Sequence, residues 1–460
     1  MLFGDQILTY WDDILKDLAT MVAIPSVADP AKATPGHPFG DECARALDTI
    51  LGLAEGYGLK TKNVGYYAGH AEYGQGEENA VVMAHVDVVP AGEGWATDPY
   101  TLVLDGNHAF GRGTADDKGA AVVALHCLRA LKDAGIPAKR KLRVIFGCAE
   151  EIGMGDMGHY FAQEQHPDLG FTPDAEYGIC HCEKGGLTFT VTGPNESPVT
   201  SFAAGTVVNA VPAKATAHVR CTLEELEKLT AAAKASPIEI TVTPAGDGAD
   251  LLAIGTAAHA SLPWLGKNAA SYLVEVLWEA FGASLGDFFR FVHEKIGLTT
   301  DGSAIGIACE DEPSGPLTFN LGLFRVEKGA GSLTVDIRYP ATAKGSDLAD
   351  VLAAGVKEYP SLTFTVVHDS IPLYLPKESK LISLLSGAYT DVTGEPCRIF
   401  SMGGGTYARS MFNKGVAFGP FFPGQENNHE HDVNEQLELD RFQLHARICC
   451  EAMYRLLTAD

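Results

Sequence analysis

Three consecutive stretches constrain the fold most: "NAVVMAHVDVV" (79–89), "KGAAVVALHCLRALKDAG" (118–135) and "KLRVIFGCAEE" (141–151). The outer two are short, nearly unbroken apolar runs, the pattern of strands buried on both faces. The middle one places Val122, Val123, Leu125, Leu128 and Leu131 at helical spacing and stops at Gly135 and Pro137, an ordinary helix end. Strand, helix, strand in this order implies an α/β layer with parallel strands, whose ligands bind beyond the strands' carboxyl ends.

From about residue 187 the texture changes. "GGLTFTVTG", "KATAHVRCTL", "SPIEITVTP", "LTFNLGLFRVEKG" and "GSLTVDIRYP" alternate apolar and polar residues, with helical stretches near 269–296 and 346–357 between them. The α/β texture returns after 375 and runs to a C-terminal helix, "DRFQLHARICCEAMYRLL". The expectation is one α/β domain made of 1–186 and 376–460, split by an inserted α+β lid domain at 187–375. A chain of 460 residues is long enough for two or three cores.

The formal charge of −25, from 34 basic and 59 acidic residues, disfavours nucleic acid and anionic membrane surfaces as partners. The N-terminal segment carries Trp11, Ile14, Leu15 and Leu18 at helical spacing without a basic n-region, so it reads as an amphipathic helix rather than an export signal. No stretch approaches the ~18 apolar residues of a membrane span. Ten scattered cysteines suit a reducing, cytoplasmic setting. "CHC" at 180–182 reads as strand alternation rather than a metal cluster, because no second cysteine pair completes a tetrahedral site. Cys148, in an apolar run, reads as an inert buried thiol.

Acids and imidazoles recur where apolar strands end: His85 and Asp87, Asp116 and Asp117, Glu150 and Glu151, Asp174, and His429 and His431. Carboxylates sharing a cleft repel one another, and a bound dication removes that cost. Residues two apart on a strand face one side, so His85 is expected to ligate and Asp87 to hold its other ring nitrogen. Of the Glu150–Glu151 pair, one can ligate while the other takes a proton from a metal-activated water and passes it to a leaving amine.

"AHVDVVPAGEGW", "FGRGTADDKGA", "CAEEIG", "FTPDAEYG", "GTAAHASLPWLGKNA", "GGGTYAR" and "HDVNE" occur in this order along nearly the whole chain. Together they resemble the dinuclear metallopeptidase family of aminoacylases, carboxypeptidase G and PepV-type dipeptidases, with the PepV type the nearest. The resemblance implies a zinc exopeptidase-like catalytic domain with a mixed sheet, and two divalent ions per chain, Zn²⁺ or Mn²⁺. It implies that Asp116 bridges the ions, with His85 and Asp174 completing one site and Glu151 and His431 the other. His431, three residues before Asn434 as in the family, is preferred to His429. Glu150 is implied as general base and acid, acting on a water that bridges the ions. A cis peptide is implied between Asp116 and Asp117.

In the inserted domain, His259 resembles the family histidine that stabilises the oxyanion. Arg338 is expected to clamp a substrate carboxylate through two hydrogen bonds, and Asn209 to hydrogen-bond substrate. The glycines Gly404 and Gly405, in a run lacking a phosphate-binding lysine, are expected to let backbone approach substrate closely. The implied activity is hydrolysis of dipeptides by a monomeric enzyme. N-acyl amino acid deacylation or carboxypeptidase action are alternatives of the same chemistry, and a pseudo-enzyme that only binds amino-acid-like ligands is one of another class.

Overall fold

The computed structural model describes residues 2–459, which form two compact units. One comprises the described residues up to Cys182, with Leu373–Ser401 and those from Gly405 onward; the other comprises Glu183–Pro372 and Met402–Gly404. The expected boundary at 187 thus differs from the observed one by a few residues. Met402–Gly404, expected in the C-terminal catalytic segment, falls in the second unit because Lys184 N donates to the Met402 carbonyl and Arg338 Nη1 to that of Gly403.

The first unit is built on a mixed sheet. Its path runs Lys60–Val64, Ala68–Gly74, Lys141–Gly147, Asn79–His85, Leu169–Thr172, Gly415–Phe418, Ile179–Glu183 and Leu373–Tyr374. The central pairings, Asn79–His85 with Lys141–Gly147 and with Leu169–Thr172, are parallel, as is Gly415–Phe418 with Leu169–Thr172. Every residue of Asn79–His85 is buried, as its unbroken apolar run requires when both faces are covered. Helices Trp11–Val22, Asp41–Gly56, Lys118–Asp133 and Leu439–Thr458 contribute to the same core. In the parallel register His85 lies opposite Gly147, so the two strands end level and their following loops emerge side by side.

The first unit buries two imidazoles that resist protonation. His445 accepts or donates through Nδ1 to Tyr177 Oη at 2.9 Å, while its Nε2 is buried without a partner, and burial lowers its pKa to about 3. Burial, reinforced by Arg143, lowers His70 to about 4. Above the ordinary histidine value of 6.5 both are neutral in folded and unfolded chains, and neither affects stability. Below it the unfolded chain takes up protons that the folded chain refuses, so stability falls by up to ~1.4 kcal/mol per pH unit for each group until the folded pKa is reached. At pH 5 each is expected to cost about 2 kcal/mol. Urea unfolding should show a midpoint that drops between pH 7 and 5, and the drop should be smaller in His445→Gln, which cannot titrate there.

The second unit has an eight-stranded antiparallel sheet, ordered Glu239–Ala245, Gly248–Ile254, Lys214–Arg220, Val199–Ala204, Thr318–Glu327, Ala330–Tyr339, Gly185–Pro194 and Thr363–Ser370. Helices Leu223–Ala235, Ala269–Phe281 and Gly345–Lys357 pack with it. Thr222 caps the first through a reciprocal pair with Glu225, and Asn268 caps the second. The single helical stretch expected over 269–296 is broken. Gly282 and Gly286 adopt φ of 51° and 72°, which end the helix at Phe281 and restart it as Gly286–Phe291. Among the described residues no helix is long and apolar enough to cross a membrane.

Candidate metal centre

Three parallel strands deliver the chemistry at their carboxyl ends. Asn79–His85 ends on His85, Lys141–Gly147 leads into Cys148, Ala149, Glu150 and Glu151, and Leu169–Thr172 leads into Asp174. Asp116 stands just before helix Lys118–Asp133, and His431 lies on the loop before strand Gln436–Glu438. Two groups of ligand atoms result: His85, Asp116 and Asp174, and Asp116, Glu151 and His431, each with its atoms within 4.8 Å of one another. Asp116 is common to both. Its Oδ1 lies 2.9 Å from His85 Nε2 and its Oδ2 3.0 Å from His431 Nε2, so one oxygen faces each group. His431 Nε2 is also 3.1 Å from Glu151 Oε2. His429 belongs to neither group. The Asp116–Asp117 peptide is cis.

The electrostatics follow from packing acids together out of water. Burial raises the pKa of Asp174 well above the carboxylate range, and the charges of Asp116 and Glu150 raise it further. Glu150 is raised in the same way, by burial and then, against the opposing charge of His85, by Asp116 and Glu151. Burial pushes Asp116 up too, but hydrogen bonds from His431 and His85 outweigh it and hold the carboxyl low. The half-buried Asp174 offers a carboxylate oxygen to the same group as His85 and Asp116. Two imidazoles and three carboxylates converging in this way fit divalent cations, whose charge offsets the repulsion.

Asp87 does more than orient an imidazole, and it does so from a different place than strand alternation implies. The strand ends at His85, and Asp87 lies beyond it, fully buried. The nearest acceptor for His85 Nδ1 is the Asp87 carbonyl at 3.0 Å, with the carboxylate at 3.5 Å. The carboxylate instead accepts from the backbone N–H groups of Glu150 and Glu151, each at 3.2 Å, and so fixes the acid pair against the imidazole strand.

In the second unit, Ser261 N–H donates to His259 Nδ1 at 3.2 Å. That bond assigns the ring proton of a neutral imidazole to Nε2, leaving it as a donor. Burial and then the charge of Arg338 lower the His259 pKa, which favours the neutral form. Asn209 is exposed, and its loop is tied to that of His259 by Ala260 N–H donating to the Asn209 carbonyl at 2.9 Å. The Arg338 fork expected to meet a substrate carboxylate is met by Asp336: Nε and Nη2 donate to its two oxygens at 2.7 and 2.8 Å because both residues point the same way along one strand. Of the neighbouring glycines, Gly403 packs against this unit, where a Cβ would come within 2.5 Å of Ser261 Cβ. A Cβ on Gly404 would meet nothing, and one on Gly405 would strike the Arg409 guanidinium.

Two residues escaped sequence reasoning here. Asn320 Nδ2 donates to the carbonyls of Val208 and Ala210, both at 3.0 Å, and so brackets Asn209; Thr318 Oγ1 donates to the Ala260 carbonyl at 3.2 Å. The signal was available, since a buried asparagine in the apolar run "LTFNLGLF" needs backbone partners.

Comparison with known proteins agrees with this geometry. The profile of peptidase family M20/M25/M40 matches residues 81–455. The chain is 34% identical over 460 residues to the Beta-Ala-Xaa dipeptidase of Lactobacillus delbrueckii subsp. lactis, covering 97% of this chain and 96% of that one. An M20 family metallo-carboxypeptidase from Sulfolobus solfataricus shares its fold with a TM-score of 0.61 at 14% identity, over 96% of this chain and 99% of that one. The aminoacylhistidine dipeptidase of Vibrio alginolyticus does so with a TM-score of 0.59 at 14% identity, over 97% of each. The chain belongs to peptidase family M20/M25/M40 and is a metallopeptidase.

Proposed function

We propose that the protein is a dipeptidase that uses two divalent ions, Zn²⁺ or Mn²⁺, held by His85, Asp116 and Asp174 and by Asp116, Glu151 and His431. The observation that carries this reading is the sharing of Asp116 between two three-residue groups, one oxygen toward each imidazole, with Glu150 beside them. Likeness to a dipeptidase over nearly the full length supports the substrate class.

When bound, the ions supply Lewis acidity, lowering the pKa of a water toward about 7 and polarising the scissile carbonyl. Glu150 takes the proton from the attacking water and returns it to the leaving amine. Asp87 holds the Glu150 backbone in place for both transfers. His259 offers a neutral Nε2–H, the kind of donor a developing oxyanion requires.

Rates on a dipeptide, its N-acetyl form and a tripeptide test the substrate. A dipeptidase is expected to cleave the first at least about 100-fold better in kcat/KM, because recognition of two charged ends leaves buried partners unpaired when either end is changed. Preference for the N-acetyl form would instead identify a deacylase, and good tripeptide cleavage a carboxypeptidase. Undiminished ligand affinity without turnover in metal-loaded protein would identify a binding protein.

A further inference from the structure

The loop that carries His431 is poorly placed to hold a ligand by itself. The His431 side chain is 58% exposed, and within six residues His429, His431 and Asn434 adopt φ of 56°, 61° and 60°. Non-glycine residues persist in that region only where their surroundings hold them there. The restraint comes from beneath the loop. Glu435 is fully buried, and each of its carboxylate oxygens accepts two hydrogen bonds: Oε1 from Ala115 N at 2.8 Å and Asp116 N at 3.0 Å, Oε2 from Gly113 N at 2.9 Å and Arg112 Nη1 at 2.7 Å. Arg112 is 1% exposed, and its Nη2 donates to the Asp432 carbonyl at 3.0 Å and to those of Pro90 and Ala91 at 3.4 Å. Its guanidinium also lies over the Trp95 ring. One buried ion pair therefore joins the 90–95 loop, the 112–116 loop and the 431–435 loop.

The two ligand groups depend on this pair unequally. His85 and Asp174 follow directly from buried strands, and the His85 backbone N–H is bonded to Asp117 at 3.2 Å. His431 follows no strand: apart from its own ring contacts with Asp116 and Glu151, its loop is tied by Ala96 N–H donating to Asn434 Oδ1, by Gly111 N–H donating to the Glu435 carbonyl, and by the Glu435 carboxylate, of which only the last grips the backbone of Asp116 itself. Resting on the two-ion reading above, we propose that Arg112 and Glu435 are positioning residues that set His431 against Asp116, and that without them the chain holds one ion tightly instead of two.

The test is titration of chelator-treated, full-length protein with Mn²⁺, followed by calorimetry and by electron paramagnetic resonance. Wild type is expected to take two ions per chain and to show the signal of a coupled pair. Glu435→Gln, which puts an amide NH₂ where donors already point, is expected to keep one ion at wild-type affinity. Its second ion should bind about 10–100-fold more weakly, and the spectrum should become that of isolated Mn²⁺. Arg112→Lys keeps the charge but cannot reach three carbonyls at once, and should shift the second ion in the same direction; it decides the matter if Glu435→Gln does not fold. Two ions bound as in wild type, or equal weakening of both, would overturn the proposal while leaving the two-ion reading intact. A wild type that takes a single ion would overturn both.

Discussion

Glu150→Gln is expected to lose nearly all hydrolysis, a fall in kcat of about 10²–10⁴-fold, the usual contribution of general acid–base transfer. The same variant should still carry two divalent ions per chain. Gln keeps the size of Glu and leaves the backbone N–H bond to Asp87 undisturbed, so only the capacity to take and return a proton is removed. Burial, Asp116 and Glu151 all make this carboxyl a better proton holder than a free glutamate, although His85 opposes them. Single-turnover kinetics beside metal analysis separate the two effects. Normal activity in Glu150→Gln would exclude it as the base, and loss of ions would show that it ligates instead.

Asp116→Asn should have a comparably large effect for a different reason. An amide oxygen carries no charge, and both ligand groups lose their shared carboxylate at once. Metal content is expected to fall below one ion per chain and activity to become undetectable. Wild type should gain about 2.7 kcal/mol of stability for each site from Mn²⁺ at 100 times that site's Kd, whereas the variant should gain almost none. Asp174→Asn, which belongs to one group only, should retain part of that gain. Two tightly held ions in Asp116→Asn would rule out a bridging role.

The α/β layer was legible because Asn79–His85 and Lys141–Gly147 are apolar almost throughout, and few other folds bury both faces of a strand. Family membership was legible from motifs spread along the chain. Periodicity served less well at the strand tips. It assumed that Asp87 continues the strand, whereas the ladder ends at His85 and the carboxylate turns to the amides of Glu150 and Glu151. Arg338 was read for a substrate carboxylate because sequence shows a charge without its partner, and in this structure Asp336, two residues earlier, accepts from its fork. The Arg112–Glu435 pair spans 323 positions, and nothing local distinguishes a buried glutamate from the many exposed acids of so acidic a chain. Asn320 was overlooked although its signal was present, since an isolated asparagine in an apolar strand needs backbone partners, here the carbonyls of Val208 and Ala210.

The most direct measurement is dipeptide hydrolysis before and after exhaustive chelation, with metal content determined on the same samples. If cations are what reconcile these acids and activate the water, turnover disappears with the metal and returns as Zn²⁺ or Mn²⁺ is restored to two per chain. Undiminished turnover in metal-free protein would contradict the account.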